Sequence, residues 1–143
     1  MTEQNTPLRP LQPTLYALAD DGHSLDFFFM QCPSCDGLNF PANVPGCMHC
    51  GDALDKGLML TRPAIGTLLE YATLHVPLTP GMAAPSIAGD VLLAQGIVEE
   101  GVIAVADDKL LAPGMTLKAV AKVRDAEGTY GCEFIPADRE AAR

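Results

Sequence analysis

The sequence predicts a mainly β chain in three parts: a short N-terminal helix, a small ribbon closed by cysteines, and a C-terminal barrel of five strands. Three observations predict it. Cys32-Pro33-Ser34-Cys35 and Cys47-Met48-His49-Cys50 are two Cys-x2-Cys pairs with 11 residues between them. From Ile65 onward the apolar residues recur with the period of a strand. Turns containing glycine then cut that pattern into five short segments.

Residues 1–10 are polar and hold Pro7 and Pro10, which suits an arm, mobile or laid on a partner. A short helix is expected over 13–21. Pro13 fits a first turn, Leu11, Leu15 and Leu18 follow spacings of four and three, and Gly22 can end the helix in a left-handed cap. Leu25, Phe27, Phe28, Phe29 and Met30 lead directly into Cys32, as the first strand of the ribbon or as a wedge between it and its neighbour. The stretch from Gly37 to Pro45 is short and rich in turn formers, which suits a hairpin between the cysteine pairs.

Two residues between cysteines let both sulfurs turn toward one point, as a tetrahedral metal requires. Gly37, Gly46 and Gly51 let the backbone pass close to the thiolates and donate N–H groups to them. The pattern reads as a rubredoxin-like zinc ribbon, with Cys32, Cys35, Cys47 and Cys50 holding a structural Zn2+. A mononuclear iron centre is the chemical rival, because four thiolates suit it too. Disulfides need an oxidising compartment, and residues 1–30 carry no secretory signal, their apolar stretches being broken by Asp20, Asp21, His23 and Asp26. His49 is expected to be a bystander. Cys132 shares its strand face with Tyr130 and Phe134 and reads as a core thiol.

The barrel strands follow in order. Ile65–Val76 places Ile65, Thr67, Leu69, Tyr71, Thr73 and His75 on one face and Gly66, Leu68, Glu70, Ala72, Leu74 and Val76 on the other. Ser86–Glu99 is the second strand, with Gly89 and Gly96 as bends or bulges. Glu99-Glu100-Gly101 is expected to turn into a third at Val102–Ala106. Turns at Asp107-Asp108-Lys109 and Pro113-Gly114 precede Met115–Arg124, which alternates cleanly. Asp125–Gly128 then turns the chain into Thr129–Ile135, and the tail from Ala137 is expected to fray. Five short strands with glycine bends fit a small Greek-key barrel of the OB type. The expected boundaries are 1–28 for arm and helix, 29–58 for the ribbon and 59–143 for the OB-fold domain. The apolar loop 77–85, with Pro77, Pro80 and Pro85, either packs on its own barrel or faces a partner.

Composition narrows the function. The formal net charge is −9, from 18 acidic and 9 basic residues, which opposes binding to phosphate-rich nucleic acid. No apolar run reaches the ~20 residues of a membrane span, and reduced cysteines point to the cytoplasm. The hydrophobic fraction of 48% is generous for a small domain, so a partner is expected to cover some of it. No glycine-rich phosphate loop, no G-x-S-x-G and no clustered histidines appear, and a site with four protein ligands has no open position. The chain is therefore not expected to be an enzyme by itself.

This arrangement resembles the zinc-ribbon/OB-fold accessory proteins associated with thiolases and other acyl-CoA enzymes, once a domain-of-unknown-function family. The likeness runs from about Leu15 to Pro136. It rests on the four ribbon cysteines, Phe40-Pro41 after the first knuckle, Gly66-Thr67-Leu68-Leu69-Glu70-Tyr71-Ala72-Thr73, Leu111-Ala112-Pro113-Gly114-Met115-Thr116-Leu117 and Glu133-Phe134-Ile135-Pro136. Asp36 departs from it, standing where a glycine often follows the second cysteine. The resemblance implies a non-catalytic subunit in a hetero-oligomer with a thiolase-fold catalytic subunit, or with a related synthase, aldolase, acyltransferase or hydratase. Such a subunit stabilises the enzyme and helps form or bridge its acyl-CoA site. On that reading Lys118, Lys122 and Arg124, on one strand face, are weak candidates for a CoA phosphate, against the plainer expectation of a solvated face. The rivals are a single-stranded nucleic-acid-binding module, an iron electron carrier and an acyl-CoA enzyme acting alone.

Overall fold

A computed structural model describes residues 8–77, 79–81 and 83–137. The rest of the expected arm, the tail beyond Ala137, and Leu78 and Met82 of the proline-rich loop lie outside the described residues. The chain is mainly β. Its first strand, β1 (Arg9–Pro10), pairs in parallel with the last, so the described end of the arm is already laid against the barrel.

No helix forms over 13–21. A single turn, in which the Leu15 and Tyr16 amides donate to the Gln12 carbonyl, gives way at once to β2 (Tyr16–Leu18). The leucine spacing is compatible with a helix, but Tyr16 is buried against Phe27 and Tyr130, and the neighbouring strand takes the backbone bonds. Propensity is a weak prior, and here tertiary pairing overrides it. Gly22 is left-handed as expected, φ 72°, but it closes the turn that follows β2 instead of a helix.

Strand β3 (Leu25–Gln31) is the spine of a four-stranded sheet, flanked by β2, by β4 (Leu38–Asn39) and by β5 (Leu58–Pro63). Leu25, Phe27 and Phe29 are buried while Asp26, Phe28 and Met30 are half-buried, which is the strand period in a dense apolar run.

The second sheet follows in β6 (Ile65–Leu74), β7 (Ser86–Ala94), β8 (Ile97–Val102), β9 (Thr116–Val123) and β10 (Thr129–Pro136). Its order is β1-β10-β9-β6-β7-β8, and a parallel bridge from Ile103 to Phe134 curls the far end back toward β10. Five strands in that circuit make the partly open Greek-key barrel that the pattern predicts. Two expected strands are misplaced inside it: the second ends at Ala94, not Glu99, and the third is β8, not Val102–Ala106. Glu99-Glu100-Gly101 is no turn, because all three residues pair with β7 inside β8. The real turn is Gln95-Gly96, with Gly96 at φ 79°. Gly101 instead gives up a side chain so that the Phe134 ring can pass, since a Cβ there would lie 2.8 Å from it.

A β-bulge between Leu68 and Glu70 corrects the expected faces of β6. Leu68 opposes Val91 inside, but the extra residue, Leu69, resets the alternation so that Glu70 opposes Asp90 outside. Tyr71 and Thr73 then turn inward, the hydroxyls donating to the Leu111 carbonyl at 3.1 Å and to Asp108 at 2.7 Å.

Leu25, Phe27 and Phe29 from β3 share one buried cluster with Leu68, Val91, Ile103, Leu117 and Phe134 of the barrel. Backbone bonds from Ala64 to Leu25 and from Ala119 to Ala64 stitch the two sheets together. The described residues of loop 77–85 are exposed, and no helix among the described residues is long and apolar enough to cross a membrane.

Candidate metal centre

The cysteine pairs sit on two matching turns. In the first, the Cys32 amide donates to the Gly37 carbonyl and the Asp36 amide to the Cys32 carbonyl. In the second, the Cys47 amide donates to Asp52 and the Gly51 amide to Cys47. Each turn also aims an amide at its own first sulfur, Ser34 to Cys32 Sγ and His49 to Cys47 Sγ, both at 3.3 Å. The residue after each second cysteine is left-handed, Gly51 at φ 85° and Asp36 at φ 63°. Asp36, the departure noted in the sequence, adopts the glycine-favoured conformation itself and leaves the Gly37 amide on Cys35.

These turns bring the four sulfurs within 4.8 Å of one another. Cys32 and Cys50 are 3.7 Å apart, and Cys35 and Cys47 are 3.6 Å apart. Metal–sulfur bonds of about 2.3 Å in a tetrahedron place the sulfurs about 3.8 Å apart, so the donor set fits a thiolate-bound ion. Cys32 and Cys47 are buried, while Cys35 and Cys50 face solvent.

The electrostatics of the thiols fit the same picture. Burial opposes ionisation of Cys47, but amides of Cys50 and His49 and the Asn39 side chain outweigh it and hold the thiol at about 6. At Cys50 an amide from Asp52 favours the thiolate, yet burial and the three neighbouring sulfurs push it up to about 12. Four thiolates this close repel each other, and a divalent cation at the centre removes that repulsion.

Two residues support the site without belonging to it. Asn39 is fully buried; its amide group reaches Cys47 Sγ at 3.5 Å and the Met30 carbonyl at 3.3 Å, and its oxygen takes the Met48 amide at 2.6 Å. Sequence reading passes over it as one turn former among several. Its signal is alternation, since Asn39 faces away from the half-buried Leu38 and Phe40. Replacing Asn39 with alanine is expected to weaken metal affinity about 10- to 100-fold, measured by competition with a chromophoric chelator. His49 is outside the sulfur cluster, as expected. Its ring lies across Gly37, with Nε2 2.7 Å from the Leu38 carbonyl.

The three basic candidates do not converge. Lys118 is half-buried and paired across strands with Ile65 and Ile135, on the side of Asp21. Lys122, four residues or roughly 13 Å further along β9, pairs with Glu133 at 3.7 Å. The Arg124 guanidinium lies on the backbone of Gly131. Cys132 packs against the core, and burial, with Glu133 and Glu99 nearby, pushes its thiol up to about 12.

Residues 24–55 match the family model described as the ChsH2 rubredoxin-like zinc ribbon domain. No curated protein matches the chain. Among solved structures, a chain of an Ltp2-ChsH2(DUF35) aldolase is similar at 23% identity with a TM-score of 0.63, over 78% of this chain and 85% of that one. The resemblance read from the sequence is therefore supported on two counts: residues 24–55 match a rubredoxin-like zinc ribbon of the ChsH2 type, and most of the chain is similar in fold to a chain of an Ltp2-ChsH2(DUF35) aldolase.

Proposed function

We propose that this chain is a non-catalytic accessory subunit of a thiolase-fold acyl-CoA enzyme, which it stabilises and whose acyl-CoA site it helps to form or bridge. The observation that carries the reading is the likeness of most of the chain to a chain of an aldolase complex. In this reading Cys32, Cys35, Cys47 and Cys50 hold Zn2+ in a reducing, cytoplasmic setting, and the ion is structural because four thiolates leave no coordination position for substrate. With boundaries placed at 1–28, 29–58 and 59–143, the three units would act together, because described residues of each, such as Tyr16, Phe29 and Phe134, share one buried cluster. Lys118, Lys122 and Arg124 are spread along one strand face, so a CoA phosphate would meet one of them at a time, and exposed Lys122 and Arg124 are the candidates.

The charge of the barrel favours this reading over a nucleic-acid-binding module. OB-type barrels bind oligonucleotides on the face of their second and third strands, which are β7 and β8 here. That face presents Asp90 and Glu100 directly opposite one another, with Glu70 beside them on β6. A phosphate backbone would be repelled there.

The test is purification of the tagged chain from its native cells, with mass analysis of partner and metal. A stoichiometric thiolase-fold protein and one zinc per chain are expected. A lone monomer, or a chain carrying iron or nucleic acid, would overturn the proposal.

A further inference from the structure

The barrel is open along one seam, between the outer edges of β8 and β10. Above the gap, Gly128 and Tyr130 carbonyls accept from the Arg9 and Leu11 amides; below it, the Phe134 carbonyl accepts from the Ala104 amide. By strand alternation the Cys132 carbonyl faces the same edge, and no described residue donates to it. A slot of about 160 Å³ lies there, walled by Leu11, Leu15, Phe27, Phe40 and Phe134. Tyr16 also lines it, only 2% exposed; the Gln12 backbone approaches its hydroxyl, but no group meets hydrogen-bond geometry with it. Leaving a buried hydroxyl unpaired costs free energy, so two unsatisfied polar groups beside one cavity point to a ligand that serves both.

We propose that the slot binds a small neutral ring molecule bearing a hydroxyl, of the phenol class. The hydroxyl accepts from Tyr16 and donates to the Cys132 carbonyl, while the ring packs on the phenylalanines. Size sets the first limit: a cavity near 150 Å³ takes a single six-membered ring, not a nucleotide or a long chain. Charge sets the second. Glu99 and Glu100 flank the mouth against the single cation of Arg124, which repels anions. Burial holds the Glu99 carboxyl above its ordinary range, and the same desolvation penalises a charged ligand of either sign.

The test uses the full, metal-loaded chain titrated with phenol, benzene and benzoate and followed by backbone amide NMR. Phenol is expected to give saturable shifts confined to Leu11, Gly101, Gly131 and Cys132, and benzoate none. Tyr16→Phe keeps the ring and its packing, so it should weaken phenol about tenfold, the scale of one lost hydrogen bond, and leave benzene unchanged. Absence of saturable shifts, as for a slot holding only water, overturns the proposal. So do shifts scattered over the surface, or equal phenol affinity in Tyr16→Phe.

Discussion

Replacing Cys47 with serine is expected to abolish metal binding and to leave most of the chain unfolded. Structural zinc contributes about 10–16 kcal/mol of apparent binding free energy in small zinc-finger peptides, while a whole domain is stable by only about 5–15 kcal/mol. The loss cannot stay local. Cys32 directly follows β3, whose Leu25, Phe27 and Phe29 belong to the barrel's core, so a slackened knuckle loosens the strand that the barrel packs against. Metal content by mass spectrometry and thermal unfolding by circular dichroism check this. One transition, at a much lower temperature than in the unaltered chain, is the expected result. An unaltered midpoint without metal would show that the knuckles are decoration on a self-sufficient barrel. Cys132→Ser is the control and should retain the metal, because Cys132 is outside the sulfur cluster.

Replacing Leu68 with aspartate is expected to be as damaging, whereas deleting its neighbour Leu69 should be tolerated. Leu68 is fully buried opposite Val91, so a carboxylate there is an unpaired buried charge costing several kcal/mol. Leu69 is the exposed extra residue of the bulge. Without it Leu68 and Glu70 become neighbours, which alternation points to opposite faces. Glu70 then stays outside opposite Asp90, and Tyr71 and Thr73 keep their bonds to the Leu111 carbonyl and Asp108. Amide NMR is expected to show a folded protein for the deletion and none for Leu68→Asp. A deletion that does not fold would show that the bulge does more than absorb one extra residue.

Much of this was legible in the chain. The metal site was, because two-residue spacing constrains sulfur positions locally and needs no knowledge of the fold. The strand count was legible too, since alternation and glycine turns are local signals. What escaped was set by distant contacts. Residues 13–21 carry a helical spacing, yet β3 presents an edge that recruits them as a strand. Gly101 looks like a turn glycine and is instead a clearance for Phe134, more than thirty residues away. The bulge at Leu69 leaves no mark in the alternation, because both faces of β6 read as partly apolar. Asn39 and the unpaired hydroxyl of Tyr16 acquire meaning only once the hairpin and the seam place them.

The outward row of Glu70, Asp90 and Glu100 has a consequence for the chain's solubility. An open barrel exposes the edge of β8, and an unpaired edge is a template on which a second copy can stack into a continuous sheet. Any copy docking there would bring an identical row of carboxylates alongside the first, in register across three strands. The repulsion guards the edge against self-assembly while leaving it available to molecules of different charge.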